Sequence, residues 1–231
     1  MEKSEFKSRE ELQEFIRKHT IKCLGIGREG RCVLLDNNRV IKYLYDDYNP
    51  DFILQFKDID SSSFVFAKEG IYVNEYIAAI YMEYIQGKTL EDSKPSDQDL
   101  KVLSSNLRTL SKDIVSISES GVLVKDFHCG NIIYDNNKFK VIDTLPYLYL
   151  PKGKYKIENL REIMNRIYAY LLDNILNYQI VREKYSYLGK LDYLEYPDYY
   201  FMELKLFLES ILGEEIHSLS DAEKSLKKTL K

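Results

Sequence analysis

The feature that most constrains this fold is a change of period along the chain. Between residues 21 and 85 the apolar residues come in short runs rich in β-branched and aromatic side chains: IKCLGIG, RCVLL, RVIKYLY, IYVN and IAAIYMEYI. Turn residues such as Asp36-Asn37-Asn38 separate them. Strand side chains alternate between two faces, so runs of this kind predict a small antiparallel sheet of about five strands. The segment at 50–57 reads as a short helix between the third and fourth of them. Beyond residue 95 the period becomes helical. Leu100, Leu103, Leu107, Leu110, Ile114 and Ile117 step by three and four and share one face. Ser96 is the expected N-cap of that helix and Gly121 its C-terminal stop.

Other elements follow the same rules. Ser8-Arg9-Glu10-Glu11 is a capping box that opens a helix over about 9–18. NIIY and KFKVID predict a hairpin around Asp135-Asn136-Asn137. Helices are expected over about 157–177, 198–212 and 221–230, the last behind the capping box Ser220-Asp221-Ala222-Glu223. Strands first and helices afterwards predict an α+β protein of two lobes. The reading places a helical extension at 1–19, an antiparallel sheet lobe at 20–86 and a mainly helical lobe at 87–231, with Gly87 as the joint.

A chain of 231 residues is ample for a real core. Its 33 basic against 37 acidic residues give a net charge of −4, which argues against a nucleic-acid partner on bulk charge. No apolar run is long enough to span a membrane, and the start, MEKSEFKSREE, is too charged for a signal peptide. Cys23, Cys32 and Cys129 are odd in number and lack metal-ligand spacing, which reads as reduced thiols in the cytoplasm.

Gly25-Ile26-Gly27-Arg28-Glu29-Gly30 matches G-x-G-x-x-G. A dinucleotide fingerprint needs a helix directly after the glycines, whereas here the strand-like Arg31-Cys32-Val33-Leu34-Leu35 follows. Strand, glycine loop and strand is the order of a flap that covers phosphates, though an ordinary hairpin turn shares it. Lys42 interrupts the apolar run Val40-Ile41-Lys42-Tyr43. It is expected to point inward beneath the glycines, where a cation offsets phosphate charge. Asp126-Phe127-His128-Cys129-Gly130-Asn131 then has the form D-x-x-x-x-N, and Asp143 ends the hairpin that follows.

Glycine loop, lysine, catalytic loop and aspartate in this order resemble the eukaryotic-type protein kinase superfamily over roughly residues 20–178. The resemblance implies a two-lobed kinase-like fold with a reduced helical lobe, and ATP and Mg²⁺ as cofactors. It implies Gly25, Gly27, Gly30 and Lys42 on the phosphates, and Asp126 as the catalytic base. It also implies Asn131 and Asp143 as magnesium ligands. Tyr81-Met82-Glu83-Tyr84-Ile85-Gln86-Gly87 is similar to a kinase hinge, which implies that the backbone of Glu83 and Ile85 bonds the adenine.

The chain also departs from that pattern. Val124-Lys125 stands where protein kinases have His-Arg, and Asp-Phe-His-Cys-Gly-Asn is similar to the loop of aminoglycoside and choline kinases. Asp143-Thr144-Leu145 lacks the family glycine, and no A-P-E follows. No glutamate lies at 50–57 to pair with Lys42, so Asp51, Gln55 or Asp58 are the candidates there. Three functions are carried forward: a protein serine/threonine kinase, a kinase acting on a small hydroxyl-bearing molecule, and a nucleotide-binding pseudokinase.

Overall fold

The computed structural model describes residues 4–135, 138–188 and 191–229. The turn expected at Asn136-Asn137, and the last residue of the helix expected to reach 230, lie outside the described residues. The chain divides into two compact units. One comprises Met1–Asp60, Val65–Gln86 and Asp143–Leu145; the other comprises Ser61–Phe64, Gly87–Ile142 and Pro146–Lys231.

The first unit runs β1 (Glu5–Phe6), α1 (Arg9–His19), β2 (Thr20–Ile26), β3 (Gly30–Leu35), β4 (Val40–Tyr48), α2 (Pro50–Ile53), β5 (Glu69–Val73) and β6 (Tyr76–Met82). Its sheet has the order β1-β5-β6-β4-β3-β2, antiparallel except that β1 lies parallel to β5. The five expected strands are present, and β1 is a sixth, too short to leave a pattern in the sequence. The expected helix at 50–57 stops at Ile53; Leu54 closes onto Pro50 and turns follow.

Alternation along β4 organises this unit. Ile41 and Tyr43 face a cluster with Leu12 and Ile16 of α1, Val33, Leu35, Ile71 and Tyr81. Leu44, one pleat over, faces a second cluster with Ile53, Ala67, Ile77, Ile80 and Leu145. Lys42 has the parity of Leu44, and it pairs across the ladder with Cys32 and Ile80. Ser8 caps α1 by accepting from Glu11 N, and the Glu11 carboxylate reaches back to accept from Lys7 N. Leu12 and Ile16 are fully buried, which stabilises by about 1.5–3 kcal/mol each.

The second unit holds β7 (Lys88–Thr89), α3 (Leu100–Glu119), β8 (Val122–Leu123), β9 (Ile132–Asp135), β10 (Lys138–Val141) and β11 (Leu148–Tyr149). Helices α4 (Lys156–Leu172), α5 (Gln179–Leu188), α6 (Leu191–Glu195), α7 (Pro197–Leu212) and α8 (Leu219–Thr229) complete it. All six apolar residues read onto one face of α3 are buried. Its N-cap is Asp99, not Ser96, and α8 begins behind Ser218 rather than at the Ser220 box. Gly121 adopts φ +88 after α3, where a Cβ would lie 2.7 Å from Pro151 Cα. Helices α5 and α6 were not expected from the pattern.

The fold is therefore α+β, with an antiparallel-rich sheet and several helices, and it is compatible with a kinase-like fold. Among the described residues no helix is long and apolar enough to cross a membrane.

Candidate functional site

The glycine segment closes a hairpin between β2 and β3. Gly27 N donates to Gly30 O at 2.8 Å, leaving Arg28 and Glu29 at the tip. That tip is anchored on β4, because Tyr45 N donates to Glu29 O at 3.0 Å. Gly30 is required by close approach: a Cβ there would sit 2.1 Å from the backbone oxygen of Tyr43. A Cβ at Gly25 meets nothing within 4 Å, and one at Gly27 meets only Gly30 O at 3.8 Å. The protein's own packing thus has no need of those two glycines.

Lys42 is buried at 7 % exposure. Its ammonium bonds Asp143 Oδ1 at 2.5 Å and Glu29 Oε2 at 3.1 Å. The carboxylates found with it come from the glycine tip and from Asp143, not from the 50–57 segment where a partner was sought. Asp51 and Asp58 are exposed. Burial opposes the charge on Lys42, but Asp143 and Glu29 outweigh it and raise the pKa above that of an ordinary lysine. Cys32, opposite Lys42, has its thiol pushed up by burial.

Asp143 occupies the left-handed region at φ +58, which is uncommon outside glycine. The next two residues fix it there. Thr144 is buried and its hydroxyl donates to Val65 O at 3.0 Å. Leu145 fills the second apolar cluster. A leucine at that position has a packing role, which accounts for the missing glycine of the metal motif.

In the second unit the segment 126–131 lies between β8 and β9. Asp126 is exposed at φ +51, a second aspartate in the left-handed region. Phe127 beside it is buried and anchors the loop, while His128 is exposed. A one-turn 3-10 helix, Cys129–Asn131, leads into β9, with Asn131 N donating to His128 O at 2.9 Å. Ile142 N donates to Asn131 O at 2.8 Å, so the β9–β10 hairpin brings Asn131 and Ile142 together at its open end. Asp143 is the next residue in the chain.

Asn159 was missed by the sequence reading. It is fully buried at the start of α4 and clamps the strand that leads to Asp126. Its Oδ1 accepts from Val124 N at 2.9 Å, and its Nδ2 donates to Val122 O and Ser118 Oγ, each at 2.8 Å. A signal existed: Asn159 stands four residues before Ile163 on the apolar stripe of α4, an unusual place for an amide.

The segment expected as a hinge, 81–87, begins in the last two residues of β6. Glu83 is exposed and Ile85 is buried. Gly87 has φ +145, and a Cβ on it would meet Tyr134 O at 2.5 Å, so glycine is needed. Among the described residues no group of three or more His, Cys, Asp or Glu side chains could hold a metal.

No protein-family model matches the chain. Over 93 residues, 38% of its length, it is 34% identical to a Dictyostelium discoideum protein named "Probable serine/threonine-protein kinase fnkB". The match spans 17% of that protein, so this chain corresponds to a small part of it. The similarity supports a kinase-like relationship.

Proposed function

We propose that this protein is an ATP-dependent phosphotransferase that acts on a serine or threonine hydroxyl of a protein. One observation carries the reading. The lysine, the glycine segment and the aspartate that the motif order names as phosphate and metal residues converge within a single unit. Lys42 is held there between Glu29 and Asp143.

Phosphoryl transfer needs positioned charge more than covalent help. In this reading Lys42 binds α- and β-phosphate oxygens, and the backbone of Gly25–Gly30 covers the phosphates. Asp143 and Asn131 offer hard oxygen ligands, and Asp126 accepts or orients the acceptor's hydroxyl proton. The backbone of Glu83 and Ile85 faces the adenine edge. ATP supplies the phosphoryl group, and Mg²⁺ the charge that offsets its oxygens. Motif order along the chain and the geometry within each unit support these roles.

A kinase of small hydroxyl-bearing molecules is the second reading. It is favoured by the short segment after Asp143, which β11 pins to β8 through the pairs Leu148–Leu123 and Tyr149–Val122. Little chain remains there for a long regulated loop.

The test is incubation with γ-labelled ATP and Mg²⁺, with and without a generic protein substrate. Label on protein that is lost in Asp126→Asn supports the first reading. Consumption of ATP only with a small alcohol supports the second. A chain that binds no MgATP overturns both, and one that binds without turnover is a pseudokinase. Asparagine is the replacement of choice because it tolerates positive φ.

A further inference from the structure

We propose, resting on the kinase reading above, that Glu29 is the residue that positions Lys42 for the phosphates. The loop that covers the nucleotide then also sets the lysine.

An ammonium carries three N–H groups in tetrahedral array. Asp143 takes one at 2.5 Å and Glu29 takes another at 3.1 Å. Two fixed bonds determine the direction of the third, and that donor is the one left for a phosphate oxygen. With Glu29 removed, the ammonium can rotate about its bond to Asp143 and the third N–H loses its aim.

Glu29 is suited to this work by how it is held. Its carbonyl receives Tyr45 N, its hairpin is closed by Gly27 N on Gly30 O, and Gly30 packs against the Tyr43 backbone. The carboxylate therefore stands on a backbone fixed to β4, the strand that carries Lys42. Helix α2 cannot do the same work. It ends at Ile53, and its one acid, Asp51, is exposed. A buried ammonium needs compensation, and the glycine tip provides it where α2 does not. The consequence is a coupling: a tip that lifts off β4 releases the lysine, and a tip that closes aligns it.

Two measurements on the full chain test this, in the parent and in Glu29→Gln, Glu29→Ala and Glu29→Asp. Circular dichroism first establishes that each variant is folded. The first measurement is the extent of Lys42 acylation by an amine-reactive reagent at one fixed pH, read by mass spectrometry. Glu29→Gln and Glu29→Ala are expected to raise the labelling several-fold, because the ammonium loses the partner that holds it against the hairpin, and Glu29→Asp to restore part of the protection. Unchanged labelling in Glu29→Ala overturns the pairing. The second is MgATP turnover. Misalignment of a positioned group is expected to lower kcat about tenfold or more in Glu29→Ala, with KM moving less than about threefold. Tighter MgATP binding in Glu29→Gln without loss of kcat would make Glu29 a competitor for the phosphate site and overturn the proposal. A parent chain that binds no MgATP overturns the kinase reading and the positioning role with it. The labelling measurement still decides the pairing in that case.

Discussion

Asp126 and Asp143 both hold positive φ, at +51 and +58, a region that aspartate tolerates better than most side chains but that still costs more than for glycine; alanine there costs about 1 kcal/mol or more. The two differ in support. Asp143 is bonded to Lys42 and followed by a buried Thr144 and Leu145. Asp126 is exposed, and its neighbours hold it instead: buried Phe127 after it and, before it, Val124, whose N–H donates to Asn159 Oδ1. Replacing Asp126 by glycine should therefore leave stability equal or slightly higher, and alanine should lie about 1 kcal/mol below the glycine variant. Urea unfolding measures both, and an alanine variant as stable as the glycine variant would show that the backbone is not strained. The glycines of the tip separate in the same way. Gly30→Ala drives a Cβ into the Tyr43 carbonyl and is expected to cost about 1–3 kcal/mol, whereas Gly25→Ala should change stability by less than about 0.5. Loss of nucleotide affinity in Gly25→Ala despite an unchanged midpoint would separate the ligand role from the packing role. At this scale the apolar interruption at Lys42 and the kinase-like order named Lys42, Asp126, Asn131 and Asp143, and the structure bonds Lys42 to Asp143. Glu29 was hidden because a motif records which residue types lie in a loop and not which way the loop folds onto its neighbour strand.

The alternation of β4 and the apolar stripes of α3 and α4 were legible because burial on one face writes a period into the sequence. Helix starts were less legible, and the reason is specific. Leu100 N donates to His217 O at 2.8 Å, and Asp99 forms an antiparallel bridge with Ser218. The starts of α3 and α8 are thus tied to each other, which fixes Asp99 and Ser218 as the caps. The two serines that local pattern favoured find other work: Ser220 Oγ bonds Asp97 and lies 3.4 Å from Ser96 Oγ. A long-range pairing overrode a local preference. Asn159 gives the prediction at this scale. Asn159→Ala leaves the buried Val124 N and Val122 O without their partner, and each orphaned group costs about 1–3 kcal/mol. A loss of about 2–4 kcal/mol is expected by urea unfolding. Aspartate at this site supplies the acceptor for Val124 N but sets a carboxylate oxygen against Val122 O, so it should rescue only in part. A variant with alanine that unfolds within 0.5 kcal/mol of the parent, on the scale of ordinary surface substitutions, would remove the clamp from this account.

Across the whole chain the order of strands and helices gave the α+β class, but it could not assign Asp143–Leu145 to the first unit, because three residues carry no period. Tyrosine content shapes the global response to pH. The chain has 20 tyrosines and no tryptophan. In the helical unit Tyr168 stacks on Tyr200 with ring centroids 4.5 Å apart, and Phe201 and Tyr185 meet Tyr200 edge-on. Burial raises the pKa of both Tyr168 and Tyr200 well above that of a free phenol. A folded state that holds these protons more tightly keeps its full stability below the unfolded pKa, about 10, and loses it as pH rises beyond. Each phenol then costs up to about 1.4 kcal/mol per pH unit, and Lys42, also raised, adds loss in the same direction. Alkaline titration should therefore show a late cooperative step in tyrosinate absorbance that coincides with loss of helical circular dichroism. The Tyr200 hydroxyl has no hydrogen-bond partner among the described residues. Tyr200→Phe should accordingly be neutral or up to about 1 kcal/mol more stable at pH 7, and should move the late step to higher pH. Smooth ionisation of all tyrosines near pH 10, with the helices intact, would mean that this aromatic core is open to water.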